Sequence, residues 1–179
     1  MATPTTTELG AFAEGEVPPA LEISFTDFDD AAVDLNRLVK TAAARLQLGR
    51  HEGLVVQEEL ETRVGVRGDA ALLQRVVENL VGNAVEAMEG TGTLTLRTHA
   101  EPGPEESGWV VLEVGDTGSG MDDEFVRSRL FKPFATTKRR GLGLGLYQCR
   151  SIVHAHGGEI TVATIPGEGT RFTVRLRGA

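Results

Sequence analysis

Apolar residues recur along this chain at two spacings, and the places where one gives way to the other mark out its elements. From Asp34 onward, Leu35, Leu38, Val39, Ala42, Ala43 and Leu46 keep a helical period, which predicts a helix ended by Gly49. Leu54, Val55 and Val56 predict a strand, with Arg63 to Val66 as its neighbour. Arg67-Gly68-Asp69 then reads as a turn ending in a good N-cap. The longest periodic run follows: Leu72, Leu73, Val76, Val77, Leu80, Val81, Ala84, Val85 and Met88 predict one helix from Ala70 to Met88. Residues 89–115 read as a hairpin, with a turn at Gly90-Thr91-Gly92, alternation from Thr93 to His99, a polar loop from Ala100 to Gly108 and an apolar strand from Trp109 to Gly115. After a short acidic helix start and a long polar stretch over 122–140, a helix runs from Leu144 to His156 and is closed by Gly157-Gly158. Alternating strands Glu159 to Ala163 and Thr170 to Leu176 are joined at Pro166-Gly167-Glu168-Gly169. Leu21 to Phe25 is a candidate short strand. Residues 1–20 show no period and read as a disordered tail or linker, leaving 21–179 as the domain.

Three polar features stand out against this pattern. Asn79, Asn83 and Glu86 fall at i, i+4 and i+7 on the long helix and share one face. That face is either ordinary solvated surface or a binding face; two asparagines and Gly82 are poor helix formers to spend on a plain surface. Asp116-Thr117-Gly118-Ser119-Gly120 ends an apolar strand. It reads either as an Asx-type turn or as a carboxylate at the mouth of an apolar slot, ready to accept from the amino group of a base. Gly141, Gly143 and Gly145 alternate with leucines, follow Lys138, Arg139 and Arg140, and run into a helix start. They make either a flexible surface turn or a loop where close backbone approach and helix N–H groups receive phosphate.

The composition narrows these readings. The chain of 179 residues is 40% hydrophobic and 25% charged, so one domain with a real core is expected. A net charge of -8 argues against general nucleic-acid binding, so phosphate must be met locally by oriented N–H groups, a few basic residues and a metal. The single cysteine, Cys149, lies in an apolar-periodic helix and reads as a packed thiol. No run of 18 apolar residues and no secretory start is present, which leads to the expectation of a cytoplasmic domain.

Four stretches, in this order, resemble the ATP-binding catalytic domain of two-component sensor histidine kinases. That family belongs to the superfamily shared with gyrase, the MutL mismatch-repair ATPases and the heat-shock chaperone of ninety kilodaltons. The resemblance covers residues 34–177. Glu78 to Met88 resembles the asparagine box, Asp116 to Gly120 the first glycine box, Phe131 to Lys138 the phenylalanine box and Gly141 to Leu146 the second glycine box. Pro-Phe-Ala-Thr-Thr-Lys at 133–138 is similar to the nitrogen-regulation-like subgroup.

The resemblance implies an α/β (α+β) two-layer sandwich of the Bergerat type: a mixed sheet, helices on one face, and a mobile ATP lid over about Met121 to Arg140. It implies ATP and Mg²⁺ as ligands. The implied catalytic residues are Asn79, Asn83 and Lys138, with Asn83 holding the metal and Lys138 reaching the γ-phosphate. Implied nucleotide contacts are Asn79, Asn83, Glu86, Asp116 (to the adenine amino group), Gly118, Gly120, Met121, Lys138, Gly141, Leu142, Gly143, Leu144, Gly145, Leu146 and Thr170.

Two departures shape the functional expectation. The hydrolysing relatives carry a glutamate four positions before the metal asparagine, where this chain has Asn79, with Glu78 one step round the helix; slow ATP hydrolysis is therefore expected. The family's helical hairpin, which bears the phosphorylated histidine and makes the dimer, has no counterpart. The nearest candidate, His51-Glu52, runs into a β-rich stretch, and His154 and His156 read as favourable charges at a helix end. The expected partners are thus a histidine-containing dimerisation hairpin missing here or in another chain, and a response regulator downstream, while this chain alone is expected to be a monomer. The alternatives weighed are a stand-alone serine kinase of the anti-sigma-factor type and a non-catalytic nucleotide-binding interaction module.

Overall fold

Asp34 ends a strand and caps the first helix. The computed structural model describes residues 32–62, 64–103, 107–135 and 143–179, so the segment 1–20 and the candidate strand Leu21 to Phe25 lie outside the described residues. Strand β1 (Ala32–Asp34) leads directly into α1 (Leu35–Arg45), and the Asp34 carboxylate accepts from the Arg37 N–H at 3.2 Å. The helix stops short of the expected Gly49. Gln47 takes a left-handed conformation (φ 53°) and a 3-10 turn over Leu48–Arg50 follows. Burial of Leu48 in the core decides the matter: continuing the helix would carry its side chain away from that site.

The long helix α2 (Ala70–Ala87) starts where Arg67-Gly68-Asp69 predicts. Asp69 Oδ1 accepts from the N–H groups of Ala71 and Leu72 at 2.7 and 2.9 Å, satisfying two of the first-turn donors. The Asp69 N–H is itself held by His156, which caps the C-terminus of α4 (Gly145–Ala155). His156 Nε2 accepts from Asp69 at 3.0 Å while Nδ1 donates to the Ile152 carbonyl at 2.7 Å, which sets the tautomer. His156 is thus a specific bridge between two helices, more than a charge at a helix end. The bridge also explains Gly68, whose φ is +150° and where a Cβ would stand 2.2 Å from the His156 ring. His156→Ala should cost about 1–2 kcal/mol, or roughly 3–8 °C in Tm, through loss of both bonds. An unchanged melting curve would show that the bridge contributes nothing.

The main sheet has the order β2 (Gly53–Leu60), β4 (Thr91–Glu101), β5 (Trp109–Asp116), β7 (Gly169–Arg177), β6 (Glu159–Ile165). The pairs β4–β5 and β6–β7 are the two expected hairpins, while β2 lies parallel to β4 with Gly53 opposite Thr91. The expected pairing of Arg63 to Val66 with the strand at Leu54 does not occur. Strand β3 (Gly65–Arg67) instead pairs antiparallel with β1, Ala32 opposite Arg67. Its Val66, with Val33 and Val64, is buried, whereas the β2 segment Gln57 to Glu59 is exposed; pairing with that charged edge would take the three valines out of the core. The expected turn at 90–92 also shifts. Glu89 (φ 51°) and Gly90 (φ 76°) turn the chain, and Thr91 and Gly92 already belong to β4.

Helix α2 packs between α1 and α4 over the inner face of the sheet. Its Leu73, Val76, Val77, Leu80, Val81 and Ala84 are buried against Leu94, Leu96, Val110, Leu112, Val114, Phe172, Val174 and Leu176. Each such large side chain contributes about 1.5–3 kcal/mol through the apolar area it removes from water. Cys149 is buried in the same core, where burial pushes its thiol up to about 12, as a packed rather than reactive cysteine requires. The result is a two-layer sandwich with helices on one face of a mixed sheet.

Candidate functional site

The inner face of the sheet changes character in its last row. Val114, Phe172 and Val162 stand opposite one another across β5, β7 and β6, and two residues further on the same face carries Asp116, Thr170 and Thr164. Asp116 is thus the last residue of the strand rather than the first of a loop, and strand alternation aims its side chain the same way as Val114. Burial holds its carboxyl above the usual carboxylate range, with the backbone N–H groups of Gly118 and Thr170 pulling the other way. Gly118 N–H donates to Asp116 Oδ1 at 2.8 Å. The Thr164 hydroxyl lies 3.0 Å from that of Thr170 and accepts from the Met121 N–H at 2.9 Å, which draws the segment after the glycines onto this row. Sequence reading missed Thr164; in a strand with several threonines nothing singles it out.

The glycines around this row sit where two backbones touch. A Cβ on Gly118 would lie 2.5 Å from the Ala87 carbonyl, and the neighbouring Ser119 N–H donates to that carbonyl at 3.1 Å, capping α2. Gly120 (φ +62°) and Gly169 (φ +126°) leave no room either: a Cβ would fall 2.1 Å from the Ile165 carbonyl and 1.9 Å from the Asp116 carbonyl. The resemblance assigns Gly118 and Gly120 to closing on a base. Their geometry gives them an additional duty, bringing three loops together around Asp116.

About two turns back from Ala87, mid-helix, α2 meets the start of α4. Asn79 Nδ2 donates to the Arg75 carbonyl at 3.0 Å, and the Asn79 Oδ1 lies 2.9 Å from where a Cβ on Gly145 would stand. Gly145 opens α4, whose N-cap Leu144 makes no side-chain hydrogen bond, and no acidic residue occupies the first turn. Such a helix start offers N–H groups and a positive dipole end to an anion. Asn83 and Glu86 continue the polar face toward Ala87. Glu78 points elsewhere: its Oε1 accepts from Arg45 of α1 at 2.7 Å and from Gln74 at 3.0 Å. Gln74, a buried polar residue that the periodic pattern did not flag, also donates to the Leu38 carbonyl at 3.3 Å. Among the described residues nothing lies within 4 Å of a Cβ on Gly82, so Gly82→Ala should raise stability by about 0.5–1 kcal/mol, the usual helix-interior gain. A melt and a nucleotide titration check this together, and a variant that is more stable but binds nucleotide more weakly would mark the bare surface at Gly82 as ligand-facing.

Lys138, Gly141 and Leu142 lie outside the described residues. Gly143 (φ +66°) passes so close to the preceding aromatic segment that a Cβ would stand 2.6 Å from the Phe134 carbonyl carbon. Phe134 has φ 62° and is exposed, while Phe131 packs against the core beneath the Arg150 guanidinium, 5.6 Å from the ring centre. Leu146, partly buried, also packs against the core. Met121 lies between the glycine loop and α3 (Asp123–Ser128), the short acidic helix expected there, capped by Asp122. His51 follows the 3-10 turn in extended backbone beside Gly90, with no helix around it.

The two ends of the site are therefore joined by one helix. Asn79 touches the start of α4 and Ala87 touches the Asp116 loop, about 12 Å apart along the α2 axis. A nucleoside triphosphate has that reach.

Comparison with known proteins gives the family. The chain belongs to the histidine kinase-, DNA gyrase B-, and HSP90-like ATPases, which it matches over residues 68–179, and is an ATP-binding domain of that family. The C4-dicarboxylate transport sensor protein DctS of Rhodobacter capsulatus is 40% identical over 152 residues, covering 82% of this chain and 22% of DctS. The chain therefore spans about a fifth of that relative. The catalytic domain of the histidine kinase ThkA superimposes with a TM-score of 0.72 at 25% identity, over 86% of this chain and 97% of that one. Full-length ShkA in complex with AMPPNP gives a TM-score of 0.74 at 25% identity, over 89% of this chain and 34% of ShkA.

Proposed function

We propose that this domain binds ATP with Mg²⁺ and, within a longer sensor kinase, presents the γ-phosphate to a histidine on a helical dimerisation hairpin. A response regulator is the next acceptor. The observation that carries the reading is α2, which links a half-buried carboxylate to an uncapped helix start across the length of a nucleotide. Asp116 and Thr170 take the adenine edge, with Gly118, Gly120 and Met121 forming the wall beside it. Asn79, Asn83 and Glu86 face the phosphates, together with the backbone of Gly143, Leu144, Gly145 and Leu146. Lys138, Gly141 and Leu142 complete the phosphate loop in this reading. The matched relative DctS is a sensor protein and ThkA a histidine kinase, which favours this over a serine kinase or a non-catalytic module.

The donor set suits Mg²⁺. The metal prefers oxygen ligands and keeps several waters, so it needs one or two protein oxygens plus phosphate. Among the described residues there is no cluster of three or more His, Cys, Asp or Glu, so an all-protein cage is not the design; the amide oxygen of Asn83 is the assigned ligand. Mg²⁺ supplies charge neutralisation on the phosphate oxygens when bound. The chain's own part is positioning. The acceptor imidazole forms its bond to the γ-phosphorus as the bond to the β–γ bridging oxygen breaks, ADP leaves, and the ring proton passes to solvent. Hydrolysis stays slow because Glu78 is tied to Arg45 and Gln74, and Asn79 cannot take a proton from water as a carboxylate does. No helix among the described residues is long and apolar enough to cross a membrane.

The test uses this chain with radiolabelled ATP, alone and then with a hairpin from a related sensor kinase. Alone it should remain an unlabelled monomer; with the hairpin, an acid-labile, base-stable phosphohistidine should form. Acid-stable self-labelling would overturn the reading in favour of a serine or threonine kinase. In calorimetry Asn83→Ala should reduce ATP affinity about tenfold or more in Mg²⁺ and make it equal with and without the metal. Unaltered Mg²⁺ dependence would remove Asn83 from the metal.

A further inference from the structure

Thr164 lies one strand beyond the residues assigned to the base, and its single hydroxyl has three partners. The Met121 N–H lies at 2.9 Å, the Gly169 carbonyl at 3.0 Å and the Thr170 hydroxyl at 3.0 Å. A hydroxyl has one proton and two acceptor lone pairs. The N–H can only donate and the carbonyl can only accept. All three contacts are hydrogen bonds in one arrangement alone: Thr164 donates to Gly169 and accepts from both Met121 and Thr170. The proton of Thr170 is then committed to Thr164, and Thr170, buried at 7% exposure, has only lone pairs left to offer.

We propose that Thr164 is a positioning residue that fixes the hydrogen-bond polarity of the base site, making Thr170 an acceptor. Asp116 beside it is also an acceptor: its carboxylate takes the Gly118 N–H at Oδ1 and the Thr170 N–H, and its two oxygens together have further lone pairs to offer. The end row of the sheet therefore presents two acceptors side by side. At the 6-position it favours a purine that carries an amino group over one that carries a carbonyl, because a 6-oxo group would set a third acceptor against the other two. The same hydroxyl holds the Met121 N–H, so the start of the segment leading to α3 is pinned to the residue that sets the polarity. This rests on the ATP reading above and adds to it a residue that touches no ligand.

The experiment compares ATP with inosine triphosphate, which differs at the 6-position and N1, by calorimetry on the full chain. The wild type should favour ATP, and Thr164→Val should reduce that ATP-to-ITP preference about tenfold, because the freed Thr170 hydroxyl can then turn and donate. Thr164→Ser, which keeps the hydroxyl, should restore the preference. A purely structural role would lower both affinities in parallel and leave the ratio unchanged, and that result overturns the proposal. Thr170→Val gives an independent arm should Thr164→Val not fold. It should weaken ATP more than ITP, and the opposite order would show that Thr170 donates, which also overturns the proposal. A wild type that binds neither nucleotide removes the ATP reading and this inference with it. A wild type that binds ATP and ITP equally removes this inference alone.

Discussion

Asp116→Asn should leave the domain folded and at least as stable as before, yet cost about 1–3 kcal/mol in ATP binding. The carboxylate has two acceptor oxygens, and Gly118 N–H already occupies one. An amide keeps a single acceptor and puts an NH₂ where the base's amino group must donate. The stability side follows from burial, which raises the Asp116 value above its ordinary range. A raised value in the folded state means that the fold holds this proton more tightly than the unfolded chain does. Its stabilising contribution is complete only in acid, below the unfolded value, and is lost as pH rises through the folded value. At neutral pH the charged Asp116 is a cost to the empty domain, so the amide should leave Tm unchanged or raise it. Wild-type ATP affinity should weaken as pH falls through the same raised value, because protonation removes an acceptor. Asp116→Asn should flatten that dependence. Melting and calorimetry across the acid side of neutrality check both halves; a variant that melts well below wild type would show that the N–H contacts outweigh burial.

The largest loss of stability should come from Gly169→Ala, and Gly167→Ala is its control. Both residues have positive φ, +126° and +79°, so both substitutions meet backbone strain. Open space surrounds Gly167 within 4 Å, and its substitution should cost about 1–2 kcal/mol. At Gly169 the new Cβ meets the Asp116 carbonyl oxygen at 1.9 Å, and no flexible side chain is there to yield. The strand end bearing Asp116 must move. The loss should reach about 3 kcal/mol or more, roughly 10 °C in Tm, with ATP affinity falling even where the variant is still folded. Similar melting curves for the two variants would contradict the close approach at Asp116.

What the chain made legible beforehand was what local periodicity carries. Helix α2 and the β4–β5 and β6–β7 hairpins are each spelled by a contiguous pattern. The parallel pairing of β2 with β4 is not, because α2 separates the partners and a strand's own residues do not name a distant neighbour. The β1–β3 pair escaped for a related reason: three residues are too few to show an alternation. Within the site, Asp116 was read as either an Asx turn or a carboxylate facing a slot. The turn is present, and the oxygen that closes it to Gly118 belongs to a side chain on the sheet's inner face. Thr164 and Gln74 matter through partners on other elements, Met121 and Leu38 among them, which no pattern within a single element encodes.

Strand β3 has a mechanical consequence. Ala32 pairs with Arg67 on one side of it, while Gly178 bridges to Val66 and the Ala179 N–H donates to the Gly65 carbonyl. Residues 32 and 179 thus lie at the same corner, braced on three consecutive residues. A torque applied through the chain before Ala32 is delivered to β3, and two residues later, through Gly68, it reaches Asp69 and the first turn of α2. Helix α2 is geared directly to whatever turns at that corner.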